Sequence, residues 1–411
     1  MDRWTWPAWV GVVGGVAAFV VLLVPVLVVQ SRRYGRLSGP RLLGAAAVAV
    51  YGVALLAYTL LPLPSGDLAA WCARYGVGGP QLRPFQFVAD IRRDTAGLGL
   101  GATLRSAAVL QVAFNVLLFV PWGVLARRYL GWGVLGSTLS AAGASLLVET
   151  TQTTGIFGLI GCAYRLGDVD DLLTNTLGGL VGALLAPLVL GWMPRSGDLA
   201  AGRALPRPVT SARRWLGMLV DAALVTLVGY GITVAYRLLL VATGRPVPVD
   251  GDPVELLVGT VLPVAVLLWL PPLLGSGASL GQRAMWLEPR WRRADGTAGR
   301  GPLAARAARG ALGAGLWGLL TVLAGLPDAW PGGAGAGAAG VIGVVGAVAA
   351  VAQPVLVVAW VLAVPWSRGH RGLSYALTGA ELADARDGAG RAAGPGPGGG
   401  EVGVRPGDRL G

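Results

Sequence analysis

Lysine is absent from this chain of 411 residues, histidine occurs once, cysteine twice, and only 13% of positions are charged. Soluble domains carry about a quarter charged residues, so the low figure excludes an ordinary soluble globular protein. The single histidine, His370, cannot build a metal site alone. Cys72 and Cys162 have neither metal-ligand spacing nor a Cys-x-x-Cys partner. No nucleophile–base pair or metal motif accompanies the acidic residues, and no segment alternates as a barrel strand would. No repeat relates the two halves, which removes the inverted-repeat argument for a transporter. The first apolar run is too long for a signal-peptide core and lacks an A-x-A cleavage site behind it, so it is expected to be a retained helix.

What is there is apolar: 54% of residues are hydrophobic and the mean hydropathy is +0.63. These residues come in blocks long enough to cross about 30 Å of hydrocarbon as helices, the only open-chain form that satisfies its own backbone in lipid. The reading is an all-α, polytopic integral membrane protein with about nine spans in two bundles. The spans fall at 7–29, 42–63, 107–126, 130–152, 172–193, 215–241, 254–274, 309–326 and 338–365. Residues 1–195 make a five-span unit, 196–211 a polar cytoplasmic linker, and 212–382 a four-span unit. From 383 to 411 the Gly-, Ala-, Pro-, Asp- and Arg-rich composition predicts a disordered tail. Trp4, Trp6, Trp9, Trp192, Trp215 and Trp366 mark span ends as an interfacial belt.

All 33 basic residues are arginine. In a soluble protein a net charge of +12 would suggest nucleic acid; here the arginines follow loop sidedness, and no nucleic-acid partner is expected. Arg32, Arg33, Arg36 and Arg41, then Arg127 and Arg128, then Arg195 to Arg214, then Arg283 to Arg309 occupy alternate loops. The positive-inside rule places the N-terminus outside and the C-terminus in the cytoplasm. The loop 64–106 runs against it, carrying Arg74, Arg83, Arg92, Arg93 and Arg105 although parity puts it outside. The stretch around Arg283, Arg290, Arg292 and Arg293, interleaved with Trp286 and Trp291, suits anionic lipid head groups.

Polar residues inside apolar spans are costly and ask for a reason. The third span carries Gln111 and Asn115; the fourth carries Ser145, Glu149 and Gln152 on one helical face. After Arg165 and Asp168, the residues Asp171, Asn175, Gly178 and Gly182 share a stripe whose glycines admit a close neighbour. Topology gathers Asn115, Glu149, Gln152, Arg165, Asp168, Asp171 and Asn175 into one cluster opening outward, with Arg165 expected to pair with Glu149, Asp168 or Asp171. Interhelical hydrogen bonding and contact with an external ligand or lipid head group both remain open as roles. The Asp168, Asp170, Asp171 set fits a solvated helix N-terminus better than a hard-cation site, and no metal or cofactor is expected.

The ordered series Asn115-x3-Phe119-x-Pro121-x-Gly123, Ser145-x3-Glu149-x2-Gln152 and Arg165-x2-Asp168-x-Asp170-Asp171-x3-Asn175-x2-Gly178 resembles the VanZ-like, teicoplanin-resistance family over about 45–190. Gln81-Leu-Arg-Pro84-Phe85 resembles that family's N-L-I-P-F segment, departing at Gln81 and Arg83. The resemblance implies a role in the bacterial cell envelope, in the cytoplasmic membrane, in glycopeptide resistance. It supplies no reaction.

In the second unit, Arg214 and Asp221 lie two turns apart on one helix face. Together with Ser279-Leu-Gly281-Gln-Arg283 and the terminal His370-to-Ala380 segment they resemble the RDD family. Tyr375 stands where that family has its second Asp. The resemblance implies ion transport for some members.

Three functions follow. The leading one is a non-enzymatic envelope protein whose outer cluster meets cell-wall precursors, lipids or glycopeptide antibiotics. The others are a transporter using Asp221 and a membrane-embedded hydrolase or transferase using Glu149 and Asp171. Cys72 and Cys162 share the external side, where disulfides are permitted; the alternative is that Cys72 packs as a small hydrophobe on a helix face.

Overall fold

The computed structural model describes residues 5–249, 251–330 and 336–387. Residues 388–411, most of the expected tail, lie outside them. The chain divides into two compact units, Met1–Arg203 and Ala204–Gly411, with the division falling inside the expected linker.

Eight helices among the described residues are long and apolar enough to cross a membrane. In the first unit these are α1 (Trp6–Tyr34), α2 (Gly39–Leu60), α3 (Ala107–Leu130) and α5 (Val169–Val189). In the second they are α6 (Ser211–Ala242), α7 (Pro253–Leu273), α8 (Leu303–Ala324) and α9 (Gly337–Trp366). The ninth expected span is present as a helix, α4 (Val134–Thr153), but falls short in hydropathy. Its 20 residues measure about 30 Å. Ser137 and Ser145 are fully buried on its inner side. The hydroxyls of Thr138, Thr150, Thr151 and Thr153 return to carbonyls four residues earlier, so they do not seek water. Leu135, Leu139, Leu146 and Leu147 form its exposed apolar face.

The distribution of side chains is inverted relative to a water-soluble protein. Large apolar groups such as Val21, Leu188 and Val351 point outward, while Ala141, Ala183 and Ser145 are fully buried. Small interior residues let helix backbones touch, which drives association where lipid is as apolar as leucine. In the first unit α3 and α5 meet this way: a Cβ on Gly178 or Gly182 would overlap the carbonyls of Val116 and Val120. At the end of α3 the left-handed Gly131 (φ 84°) stops the helix, and α4 begins at Val134.

The protein is mostly helical, as expected, but the second unit also carries a small three-stranded antiparallel sheet not anticipated from the sequence. The sheet is ordered β2-β1-β3, with β1 at Leu287–Arg292, β2 at Ala298–Gly299 and β3 at Ala380–Asp384. Strand β3 extends two residues into the segment expected as tail. Trp291 stands opposite Ala380, and Leu287 opposite Asp384. Asp384 is buried and tied to Arg213 at 2.8 Å and Arg386 at 2.6 Å, which joins the sheet to the first turn of α6. Burial alone would raise its carboxyl, but the hydrogen bonds from Arg386 and Arg213 hold it at about 2.

Two outcomes follow. Gly182→Val should destabilise the first unit by about 1–3 kcal/mol through overpacking, whereas Gly143→Val, with open space around its Cβ, should not; thermal unfolding in detergent compares them, and equal midpoints would refute the close α3–α5 contact. Asp384→Asn should cost about 3–5 kcal/mol at neutral pH by removing the charge two guanidiniums face. Since the folded value lies below the ordinary 3.8, that contribution is full above the ordinary value and fades as the pH falls towards 2. The gap between variant and wild type, read by chemical unfolding, should narrow over the same interval.

Candidate functional site

The site is assembled from the end of α4, the start of α5, the inner side of α3 and two loops. Asp168 caps α5, accepting from the amide of Asp170 at 2.8 Å, the usual arrangement for an acidic N-cap. Its own amide donates to Glu149 Oε2 at 3.0 Å, which links the α4 carboxylate to the first turn of α5. Asn115 Nδ2 donates to Asp171 Oδ1 at 2.5 Å. Burial pushes the Asp168 carboxyl above its ordinary value, against the hydrogen bond from the Asp170 amide.

Asn175 and Gln152 are buried and bonded within the unit. Asn175 donates to Ser145 at 2.9 Å, and Gln152 donates to the Thr59 carbonyl at 2.6 Å. Arg165 was expected within salt-bridge or one-water reach of the cluster's carboxylates; its charge acts on Glu149, but without direct contact. It makes no ion pair with Glu149, Asp168 or Asp171 within 4.0 Å among the described residues. Instead its guanidinium donates to the carbonyls of Thr59 at 2.9 Å and Leu61 at 2.7 Å. The end of α2 offers orphan carbonyls at the negative pole of the helix dipole, and a planar fork satisfies two of them at once.

Asp170 has a task that its sequence position did not disclose. Its two oxygens accept the amides of Phe85 at 2.6 Å and Phe87 at 2.9 Å. Phe85 has φ 66°, an uncommon left-handed conformation for a bulky residue; the buried carboxylate holds it there. Gln81 completes the attachment: a parallel bridge joins it to Asp168, and its side-chain amide reaches Asp168 Oδ1 at 3.2 Å. The Gln81-to-Phe85 segment therefore lies against the carboxylates. The one signal for it in the sequence was its order within the motif series, which carried no geometry.

Cys72, in the short helix Leu68–Tyr75, is bonded to Cys162, with the Cα atoms 5.8 Å apart. Val77 N donates to the Ala163 carbonyl beside it. The 61–106 loop is thus fastened to the α4–α5 loop at the disulfide, at Gln81 and at Asp170. Among the described residues no group of three or more His, Cys, Asp and Glu side chains is arranged to hold a metal ion.

In the second unit Asp221 accepts from Ser279 Oγ at 2.6 Å and from the Gly281 amide at 2.7 Å. Arg214 lies over the Tyr375 ring at 4.7 Å and does not form an ion pair with Asp221. Arg283 donates to carbonyls including Ala278 at 3.1 Å. His370 meets Ser211 at 2.9 Å.

These features define a polytopic membrane protein with a polar, carboxylate-rich cluster at one end of its first helical unit. A family model described as VanZ/LLP1 matches residues 48–190, which run from within α2 to the end of α5 and contain every residue of that cluster; this segment is a VanZ/LLP1 family domain. No curated protein and no solved structure matches the chain. Nothing in these comparisons supports the RDD resemblance of residues 212–382.

Asp170→Asn keeps the size of the side chain but leaves only one acceptor for two amides. Hydrogen bonds to charged groups contribute about 1.5–3 kcal/mol, so the 81–87 segment should loosen. Limited chymotrypsin digestion should then cut after Phe85 or Phe87 faster than in wild type; an unchanged rate would show that Asp170 does not hold the loop.

Proposed function

We propose that the VanZ/LLP1 domain is a non-enzymatic binding unit of a bacterial cytoplasmic membrane, which offers Glu149, Asp168 and Asp171 to a donor-rich ligand of the cell envelope. The observation that carries this reading is that no ion pair within 4.0 Å occupies Glu149, Asp168 or Asp171 among the described residues. Arg165, the one basic residue that the sequence brings to it, is spent on helix-end carbonyls, so the half-buried carboxylates keep acceptor capacity for an outside partner. Cell-wall precursors and glycopeptide antibiotics both carry hydroxyl, amide and amine donors that suit such acceptors.

The outward orientation draws support from two independent features. The Cys72–Cys162 disulfide belongs in an oxidising compartment and fastens the loops that surround the cluster. At the opposite ends of the same helices, Arg41 and Arg128 bond the carbonyls of Pro194 and Leu190, in keeping with a basic cytoplasmic side. The N-terminus is then outside and the C-terminus inside.

Cells producing the protein should tolerate more glycopeptide than cells without it. Glu149→Gln and Asp171→Asn, at equal membrane abundance, should remove most of that gain, because losing one charged hydrogen bond weakens binding on the order of tenfold. Equal susceptibility of all strains would overturn the proposal.

A further inference from the structure

The second unit holds a cavity of about 310 Å³ between α6, α8 and α9, and neither the family match nor the outer cluster accounts for it. One end is charged. Arg214, Asp221 and Arg309 line it, two guanidiniums against one carboxylate. Both oxygens of Asp221 are occupied by Ser279 and Gly281. Arg309 donates to Tyr375 Oη at 3.2 Å and to the Gly277 carbonyl. Arg214 is 9% exposed, is stacked on the Tyr375 ring, and faces no carboxylate within 4.0 Å. The Nε atoms of Arg214 and Arg309 are both buried with no hydrogen-bond partner. A buried positive charge in excess is costly unless something balances it.

The other end is apolar. Met218, Leu268 and Trp360 line it, together with Leu219 and Val361, whose outer sides are exposed among the lipid-facing residues of α6 and α9. Arg214 is the fourth residue of α6, about 5 Å from its end at 1.5 Å per residue, the depth of a head group and not of the bilayer centre. A free inorganic anion would leave the greasy half of such a space unfilled, since the volume is several times the ~30 Å³ share of one water. A neutral lipid would leave the charge unbalanced.

We propose that this cavity binds one anionic phospholipid, its phosphate against Arg214 and Arg309 and the first part of a chain along Met218, Val361 and Trp360. Basic pockets between membrane helices recognise anionic head groups through this combination of charge and apolar wall. The site is independent of the outer cluster in the first unit, and glycopeptide susceptibility does not report on it.

The test uses the full chain, purified in detergent and stripped of lipid, with bound lipid counted by native mass spectrometry and stability followed by thermal unfolding. Phosphatidylglycerol should remain bound at one per chain and raise the unfolding midpoint. Phosphatidylcholine and inorganic phosphate, each alone, should do neither. Arg214→Gln should weaken phosphatidylglycerol binding by about tenfold or more, while Arg237→Gln, an exposed arginine of the same helix, should bind like wild type. Ala222→Leu narrows the cavity without touching its charges and should also reduce binding, which keeps the test decisive if Arg214→Gln fails to fold. Undiminished phosphatidylglycerol binding in Arg214→Gln or in Ala222→Leu overturns the site. Stabilisation by inorganic phosphate equal to that by phosphatidylglycerol overturns the assignment to a lipid.

Discussion

The contact of α3 with α5 sets the geometry of the first unit. The carbonyls of Val116 and Val120 lie where side chains of Gly178 and Gly182 would otherwise be. Helices this close bring together groups that an ordinary separation of 8–10 Å would hold apart. Asn115 directly precedes Val116, and Asp171 stands two turns before Gly178, so the same contact puts amide against carboxylate at 2.5 Å. Asn175 reaches Ser145 from the same stripe of α5. The glycines thus have a chemical result: they determine which polar atoms can meet.

The arginines do two kinds of work. Their placement in alternate loops reads as sidedness, but many of them also close helix ends. Arg41 takes Tyr129 and Pro194, Arg128 takes Leu190 and Gly191, Arg165 takes Thr59 and Leu61, and Arg306 takes Leu273 and Gly275. Each satisfies at least two carbonyls with one planar group, which a point-charge ammonium does less well. A chain without lysine has the cation that suits this task throughout.

The sequence disclosed the helices because hydropathy and length are local properties, and it disclosed the polar face of α4 and the stripe of α5 because 3.6-residue spacing is local too. It did not disclose partners. Arg165 was matched with the nearest opposite charges, and the carbonyls at the end of α2, more than a hundred residues away in the chain, outcompeted them. Strand β1 escaped notice because Pro289 sits in its middle and arginines occupy its outer face, although Leu287, Pro289 and Trp291 alternate inward. The pairing of Cys72 with Cys162 was left open, since connectivity is a property of how loops meet. The role of Asp170 was hidden for the same reason: its partners are backbone amides, which leave no trace in side-chain patterns.

The hydroxyls of α4 that fold back on their own helix have a consequence for biogenesis. They mask much of its polarity, but Ser145, Glu149 and Gln152 still require groups on α5, on the loop before it and at the end of α2. A segment of this kind is a weak candidate for entering the bilayer alone, because its polar side is matched only by neighbours.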